Sequence, residues 1–165
     1  MQSRIDPTVD FNWGEGLVTN FGRDYVSVRW TGKLVHPEGR EEDVTLYLSG
    51  NEGFRLYFDH ALVIDRWDTC CQDQRANVHL SSGVLHDVVI EYREERGSAS
   101  ISFEISSASL PKQVVPPTAL HYATHVQGSP YLVNIVPGAA DFPFTTAFGQ
   151  GILEAAAGVE SAFFI

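Results

Sequence analysis

The sequence predicts an all-β fold, an antiparallel β-sandwich, and three observations carry that prediction. Apolar residues recur with a period of two from Tyr25 to Ile105, glycine-containing turns separate the runs, and strong helical periodicity is missing. Tyr25 to Val35 alternates, with Val26, Val28 and Trp30 on one face and Ser27, Arg29 and Thr31 on the other. Val44 to Leu48 repeats the pattern, and Phe54 to Phe58 and Leu62 to Ile64 follow as two short runs separated by a turn. Val78 to Leu80 is a further short strand. Asp87 to Glu94 and Ala99 to Ile105 form a hairpin across Glu95, Arg96 and Gly97, where Gly97 is free to take positive φ. Strands rich in Val, Ile, Tyr and Phe at this spacing are those of a sandwich. The one helix-like stretch, Leu153 to Ala157, is soon interrupted by Gly158.

Composition narrows the function classes. With 44% hydrophobic and 19% charged residues over 165 positions, the chain holds enough apolar material for one packed domain, or for one domain and part of a second. Its 21 acidic and 11 basic residues give a net charge of −10. That balance excludes a nucleic-acid partner, whose phosphates require a positive patch, and disfavours an anionic membrane surface. Met1 to Asp10 has no apolar run of the kind a secretion signal carries. Nowhere does the chain approach the roughly 20 apolar residues of a membrane helix.

Catalytic signatures are absent from the sequence: it has no nucleophile elbow, phosphate-binding loop or dinucleotide fingerprint. His121 and His125 are four apart without a helix to align them, and His36, His60, His79 and His86 are scattered. Asp59 and Asp65 flank a short strand, where a turn and a packing role explain them better than a paired-carboxylate hydrolase does. The chain is therefore expected not to be an enzyme. Cys70 and Cys71 are adjacent, which disfavours an ordinary disulfide and predicts two thiols in a loop.

A change of texture falls at Leu110 to Thr118, whose three prolines predict a strand exit or linker. Beyond it, Gly128 to Pro137 reads as a short strand. Phe142 to Ile165 is rich in small apolar residues and ends on SAFFI, as a piece of a longer protein would.

Four segments together resemble a known module: VSVRWTGKL (Val26 to Leu34), LYLSGNEGFRLYFDHALVIDRW (Leu46 to Trp67), VVIEYRE (Val88 to Glu94) and VVPPTALHY (Val114 to Tyr122). They are similar in order and spacing to the protective-antigen-type (PA-14) domain, a β-sandwich found in toxins, as an insert in glycosidases, and in fungal adhesins. The resemblance places a PA-14-like sandwich over residues 1–125. Residues 126–165, with Gly128-Ser129-Pro130 and Ala147-Phe148-Gly149, resemble an incomplete junction between filamin-type immunoglobulin-like repeats.

The PA-14 resemblance also implies where a ligand sits. In sugar-binding members, two adjacent Asp residues in the turn equivalent to Ser49–Gly53 hold one calcium ion that bridges to sugar hydroxyls. Asn51 and Glu52 stand there in this chain, which removes one formal charge and makes them the metal positions if calcium is held at all. Tyr57 and Trp67 flank the turn as ligand-binding aromatics, and Asp59, Asp65 and Asp68 are nearby carboxylates. The implied function is a non-catalytic recognition module of a multidomain cell-surface or extracellular adhesion protein, binding a glycan with or without calcium. The alternative is a structural spacer in a filamin-like scaffold that makes protein contacts through its sheet edges.

Overall fold

The computed structural model describes residues 3–69 and 73–122, together with the backbone of 132–133 and 155–156. Cys70 and Cys71, and most of the segment with filamin-type resemblance, lie outside the described residues. The chain divides into two compact units, Met1–Ala123 and Thr124–Ile165. In the second, β11 (Leu132–Val133) pairs antiparallel with β12 (Ala155–Ala156). The helix-like stretch is thus extended at Ala155 and Ala156.

The first unit is an antiparallel two-sheet sandwich. Its strands are β1 (Asp10–Gly14), β2 (Val26–Leu34), β3 (Glu42–Gly50), β4 (Gly53–Phe58), β5 (Ala61–Arg66), β6 (Gln74–Leu80), β7 (His86–Glu94), β8 (Ala99–Ser107), β9 (Gln113–Val114) and β10 (Leu120–His121). One sheet has the order β1-β8-β3-β6, with β9 also on β8, and the other has the order β10-β2-β7-β4-β5. The alternation read from the sequence is the burial pattern. Leu46 and Leu48 of β3 lie opposite Ile105 and Phe103 of β8, with Val44 and Ile101 on the same inner face, and Phe54, Leu56, Val88, Ile90 and Tyr92 line the inner face of the other sheet. Each fully buried Leu, Ile or Phe contributes about 1.5–3 kcal/mol relative to exposure.

The hairpin expected across Glu95, Arg96 and Gly97 does not form: β7 and β8 lie in different sheets, and the turn, with Gly97 at φ +101°, carries the chain from one sheet to the other. Between β4 and β5, Asp59 and His60 both take positive φ, 44° and 67°, the conformation of a two-residue hairpin turn whose twist matches its strands. Asp59 is held there by its carboxylate, which accepts from the Asp87 N–H at 2.8 Å and from His86 Nδ1 at 2.7 Å. His86 Nε2 in turn accepts from the Ser81 N–H at 3.2 Å, so its proton is on Nδ1.

Leu110 to Thr118, expected as a strand exit or linker, is part of the sandwich. Val114 and Gln113 pair with Glu104 and Ile105, Leu110 and Val115 are buried, and Pro117–Ala119 forms a short 3-10 helix leading into β10 on β2. Proline at the first position of that helix forfeits no hydrogen bond.

At one end of the sandwich a polar lock closes the β2–β3 connection. His36 is buried, its Nδ1 accepts from the N–H groups of Glu38 and Arg40 at 3.1 and 3.3 Å, and its Nε2 therefore donates to Glu42 Oε1 at 2.6 Å. Glu42 also accepts from the hydroxyls of Ser107 (2.7 Å) and Ser109. The Ser109 and Ser107 hydrogen bonds, then the His36 hydrogen bond, overcome burial and hold the Glu42 carboxyl down at about 2. A carboxyl depressed in the folded state stabilises it above the ordinary value near 4.5 and loses that stabilisation as pH falls toward about 2. Urea unfolding followed from pH 5 to pH 2 is thus expected to show a shallower acid decline in Glu42→Gln than in the wild type. Parallel declines would show that Glu42 does not act as this lock.

Candidate functional site

Gly50 closes β3 opposite Ile101, and the chain reverses through Asn51 and Glu52 into β4. Asn51 fixes this reversal to β8. Its backbone N–H reaches the Ser100 carbonyl at 3.4 Å, and its Oδ1 accepts from the Ser100 N–H at 2.7 Å, with the Ser100 hydroxyl at 3.4 Å and the Tyr92 hydroxyl at 3.2 Å also on it. The amide thus bridges the two sheets at their shared end.

Tyr92 and Glu94, both on the inner face of β7, complete the turn from below. Tyr92 is fully buried and stacks on Trp13 at 5.9 Å, and Trp13 stacks on Phe11 at 4.9 Å. The Tyr92 hydroxyl gives its one proton chiefly to Glu94 Oε2 at 2.6 Å, the short contact expected of a charged acceptor, with its 3.2 Å approach to Asn51 Oδ1 the weaker branch. Burial first, then this bond to a carboxylate, pushes the Tyr92 phenol well above its ordinary value. Glu94 is 1% exposed, and its Oε1 has no hydrogen-bond partner among the described residues. Glu52 is half-buried above them. Desolvation, followed by the negative charges of Glu94 and Glu95, raises its carboxyl, and Arg93 opposes the shift.

Calcium requires several oxygen ligands, and the turn does not fit it. The Asn51 oxygen is spent on Ser100 and Tyr92. Among the described residues no group of three or more His, Cys, Asp or Glu side chains is arranged to hold a metal ion. Nor do the neighbouring carboxylates gather here. Asp59 is at the far end of β4 on His86, Asp65 pairs with Arg55 at 3.1 Å, and Asp68 is exposed and 3.7 Å from Arg93.

Trp67 does meet the turn, from the outer face of the sheet. Its N–H donates to Asp65 Oδ1 at 3.0 Å, which helps hold the Asp65 carboxyl below its ordinary range together with Arg55. Gly53 makes this approach possible: a Cβ there would lie 2.4 Å from the Trp67 carbonyl oxygen and 2.5 Å from Arg93 Nε. The half-exposed indole packs against two guanidinium groups, Arg55 at 4.7 Å and Arg93 at 5.4 Å from its ring. Tyr57 is elsewhere. It pairs between Val89 and Leu62, about 13 Å along β4 from Gly53 at the usual strand rise, and does not join the turn.

Of the four residues predicted to bind ligand, the structure therefore gathers Asn51, Glu52 and Trp67. Tyr92, Arg93 and Glu94 belong to the same cluster and were not singled out by the sequence reading. A signal for Glu94 was present, because it is in phase with Val88, Ile90 and Tyr92 and so places a carboxylate on the core side of its strand.

Comparison with known proteins identifies this architecture. Residues 2–118 match the family model described as the PA14 domain. A curated relative, the anti-sigma-I factor RsgI3 of Acetivibrio thermocellus, is 38% identical over 120 residues, 72% of this chain and 18% of that protein. The solved structure of an anti-sigma factor domain-containing protein from Clostridium clariflavum is 34% identical with a TM-score of 0.68, covering 81% of this chain and 44% of that one. A PA14 sugar-binding domain from an RTX adhesin shares the fold at a TM-score of 0.58 and 14% identity, over 70% of this chain and 76% of its own. The chain thus spans less than a fifth of the curated relative and under half of the anti-sigma structure. None of these likenesses supports a filamin-type junction in residues 126–165. With the family model covering most of the chain and the sandwich agreeing with it, the chain belongs to the PA14 domain family.

Proposed function

We propose that this domain is a non-catalytic recognition module of a larger protein and that its ligand is a carbohydrate. The observation that carries the reading is Trp67. Its half-exposed indole packs on the Arg55 and Arg93 guanidinium groups, whose N–H donors suit sugar hydroxyls, and its backbone N–H is fixed by Asp65. The PA14 sugar-binding domain with the same fold supports the choice of ligand class. A non-catalytic role is supported by the site's chemistry: the buried Glu94 accepts from the Tyr92 hydroxyl, and Asp65 and Asp68 lie against Arg55 and Arg93. The 38% and 34% identities to proteins named as anti-sigma factors favour a sensory use over adhesion, with ligand occupancy as the input to the rest of a regulator.

Affinity gel electrophoresis of the full chain through hydroxyethylcellulose, xylan, galactomannan and polygalacturonate tests this reading. Retardation by at least one polysaccharide is expected, with Trp67→Ala reducing the affinity about tenfold or more, the equivalent of losing ~1.4 kcal/mol. A folded wild-type domain that migrates freely through all four would overturn it.

A further inference from the structure

The outer face of the β10-β2-β7-β4-β5 sheet carries a feature that a binding turn does not explain. Among the described residues β10 covers β2 only at Lys33 and Leu34, so β2 from Val26 to Gly32 has β7 as its one strand partner. An open groove of about 970 Å³ runs along that uncovered stretch. Its lining takes in every residue from Val26 to Thr31, with Ser27, Arg29 and Thr31 from the outer face and Val26, Val28 and Trp30 from the inner, so the groove follows the open edge of β2. Trp67, Arg55 and Glu91 stand on the side toward the sheet, and Arg4, Asp6 and Phe21 stand on the other.

The register explains the groove's chemistry. Arg29 lies opposite Glu91, Glu91 opposite Arg55, and Arg55 opposite Asp65, giving one row of alternating charge across four strands. The contacts along it are 3.7, 4.0 and 3.1 Å. Ser27 and Thr31, on the same face of β2, add exposed hydroxyls on either side of Arg29. Donors and acceptors therefore alternate along a shallow surface, the pattern that matches vicinal hydroxyls, each of which both donates and accepts. Aromatic rings stand at both sides: Trp67 is fixed by Asp65, and Phe21 is 83% exposed. At this size the groove is at the upper end of the roughly 300–1,000 Å³ of small-molecule sites, far more than one sugar fills. The charges also depart from the rest of the molecule. Three arginines against two acids line a groove in a chain with net charge −10.

From this arrangement we infer that the groove along β2, and not the Asn51–Glu52 turn, is the carbohydrate site, and that it takes an internal stretch of several sugar residues rather than a chain end. The inference rests on the carbohydrate reading above and assigns it a place and a ligand length. Arg29, Arg55, Glu91 and Thr31 supply hydrogen bonds across the floor, while Trp67 and Phe21 pack against the C–H faces of the sugars. The turn is a structural clamp that holds Trp67 in position through Gly53.

The test measures binding of the full chain to whichever of the four polysaccharides retards it, using that polymer's mono-, tetra- and hexasaccharides as competitors. Arg29→Ala, Phe21→Ala and Glu52→Gln are compared, all at positions where thermal melting can verify that the fold is kept. Arg29→Ala and Phe21→Ala are each expected to weaken binding at least fivefold and Glu52→Gln less than twofold, with the hexasaccharide competing at least tenfold better than the monosaccharide. If the wild type binds but the two groove variants bind equally well, or if Glu52→Gln alone abolishes binding, the ligand is at the turn and the inference fails while the carbohydrate reading stands. A monosaccharide competing as well as the hexasaccharide overturns the internal-chain assignment. A wild type that binds no polysaccharide removes the underlying reading, and this inference with it.

Discussion

Tyr92→Ala is expected to lower the unfolding free energy by about 3–5 kcal/mol, the range for deleting a large buried aromatic. The side chain is fully buried and continues the stack of Phe11 and Trp13, so its removal opens a cavity where β1 and β7 meet. The loss is also electrostatic. The Tyr92 hydroxyl is the donor on Glu94 Oε2, and Glu94 Oε1 has no partner among the described residues, so the substitution strips a buried carboxylate of its close donor. Tyr92→Phe separates the two effects: the ring is kept, and the cost expected from the hydroxyl alone is about 1–3 kcal/mol. Urea denaturation of the two variants measures both. A Tyr92→Phe variant as stable as the wild type would show that Glu94 is satisfied by something other than this bond.

Gly53→Ala is the second large effect, expected at about 1–3 kcal/mol of destabilisation from overpacking. The new methyl would meet the Trp67 carbonyl at 2.4 Å and Arg93 Nε at 2.5 Å, both closer than real carbon contacts allow. Arg93 can swing aside, but the Trp67 backbone is held by the Asp65 carboxylate, which is itself paired with Arg55. Relief must therefore displace the indole. The variant should show lower stability together with an altered tryptophan emission spectrum and weakened glycan retardation. A wild-type melting temperature in Gly53→Ala would contradict the close approach of the two segments.

What was legible in the sequence follows from which signals are local. β2, β3, β4, β7 and β8 were visible because each alternates between a solvent face and the core over at least five residues. β1 was missed because Asp10, Asn12 and Gly14 read as turn residues. The alternation of Phe11 and Trp13, which face the core, was the signal available. The proline-rich stretch after Leu110 read only as a strand exit or linker because β9 and β10 are two residues each, too short for any period, although Val115 and Ala119 are fully buried. Part of the site was legible for a similar reason. Asn51, Glu52 and Trp67 fall within one continuous motif, whereas Arg29, Arg55 and Glu91 become neighbours only through the register of three strands. No spacing along the chain could show that row. Tyr57 shares the outer face of β4 with Arg55, and its place two residues further along set it apart from the turn.

This PA14 domain is proposed to recognise carbohydrate without a calcium ion held by its turn. Calorimetric titration of the full chain with its best-retarding polysaccharide, once in EDTA and once in millimolar calcium, tests that claim most directly. Millimolar calcium saturates even weak extracellular sites. Saturable binding with the same affinity in both buffers is expected, because the Asn51 oxygen is held by the Ser100 N–H and approached by the Tyr92 hydroxyl. Binding that appears only with calcium, or no binding in either buffer, would contradict it.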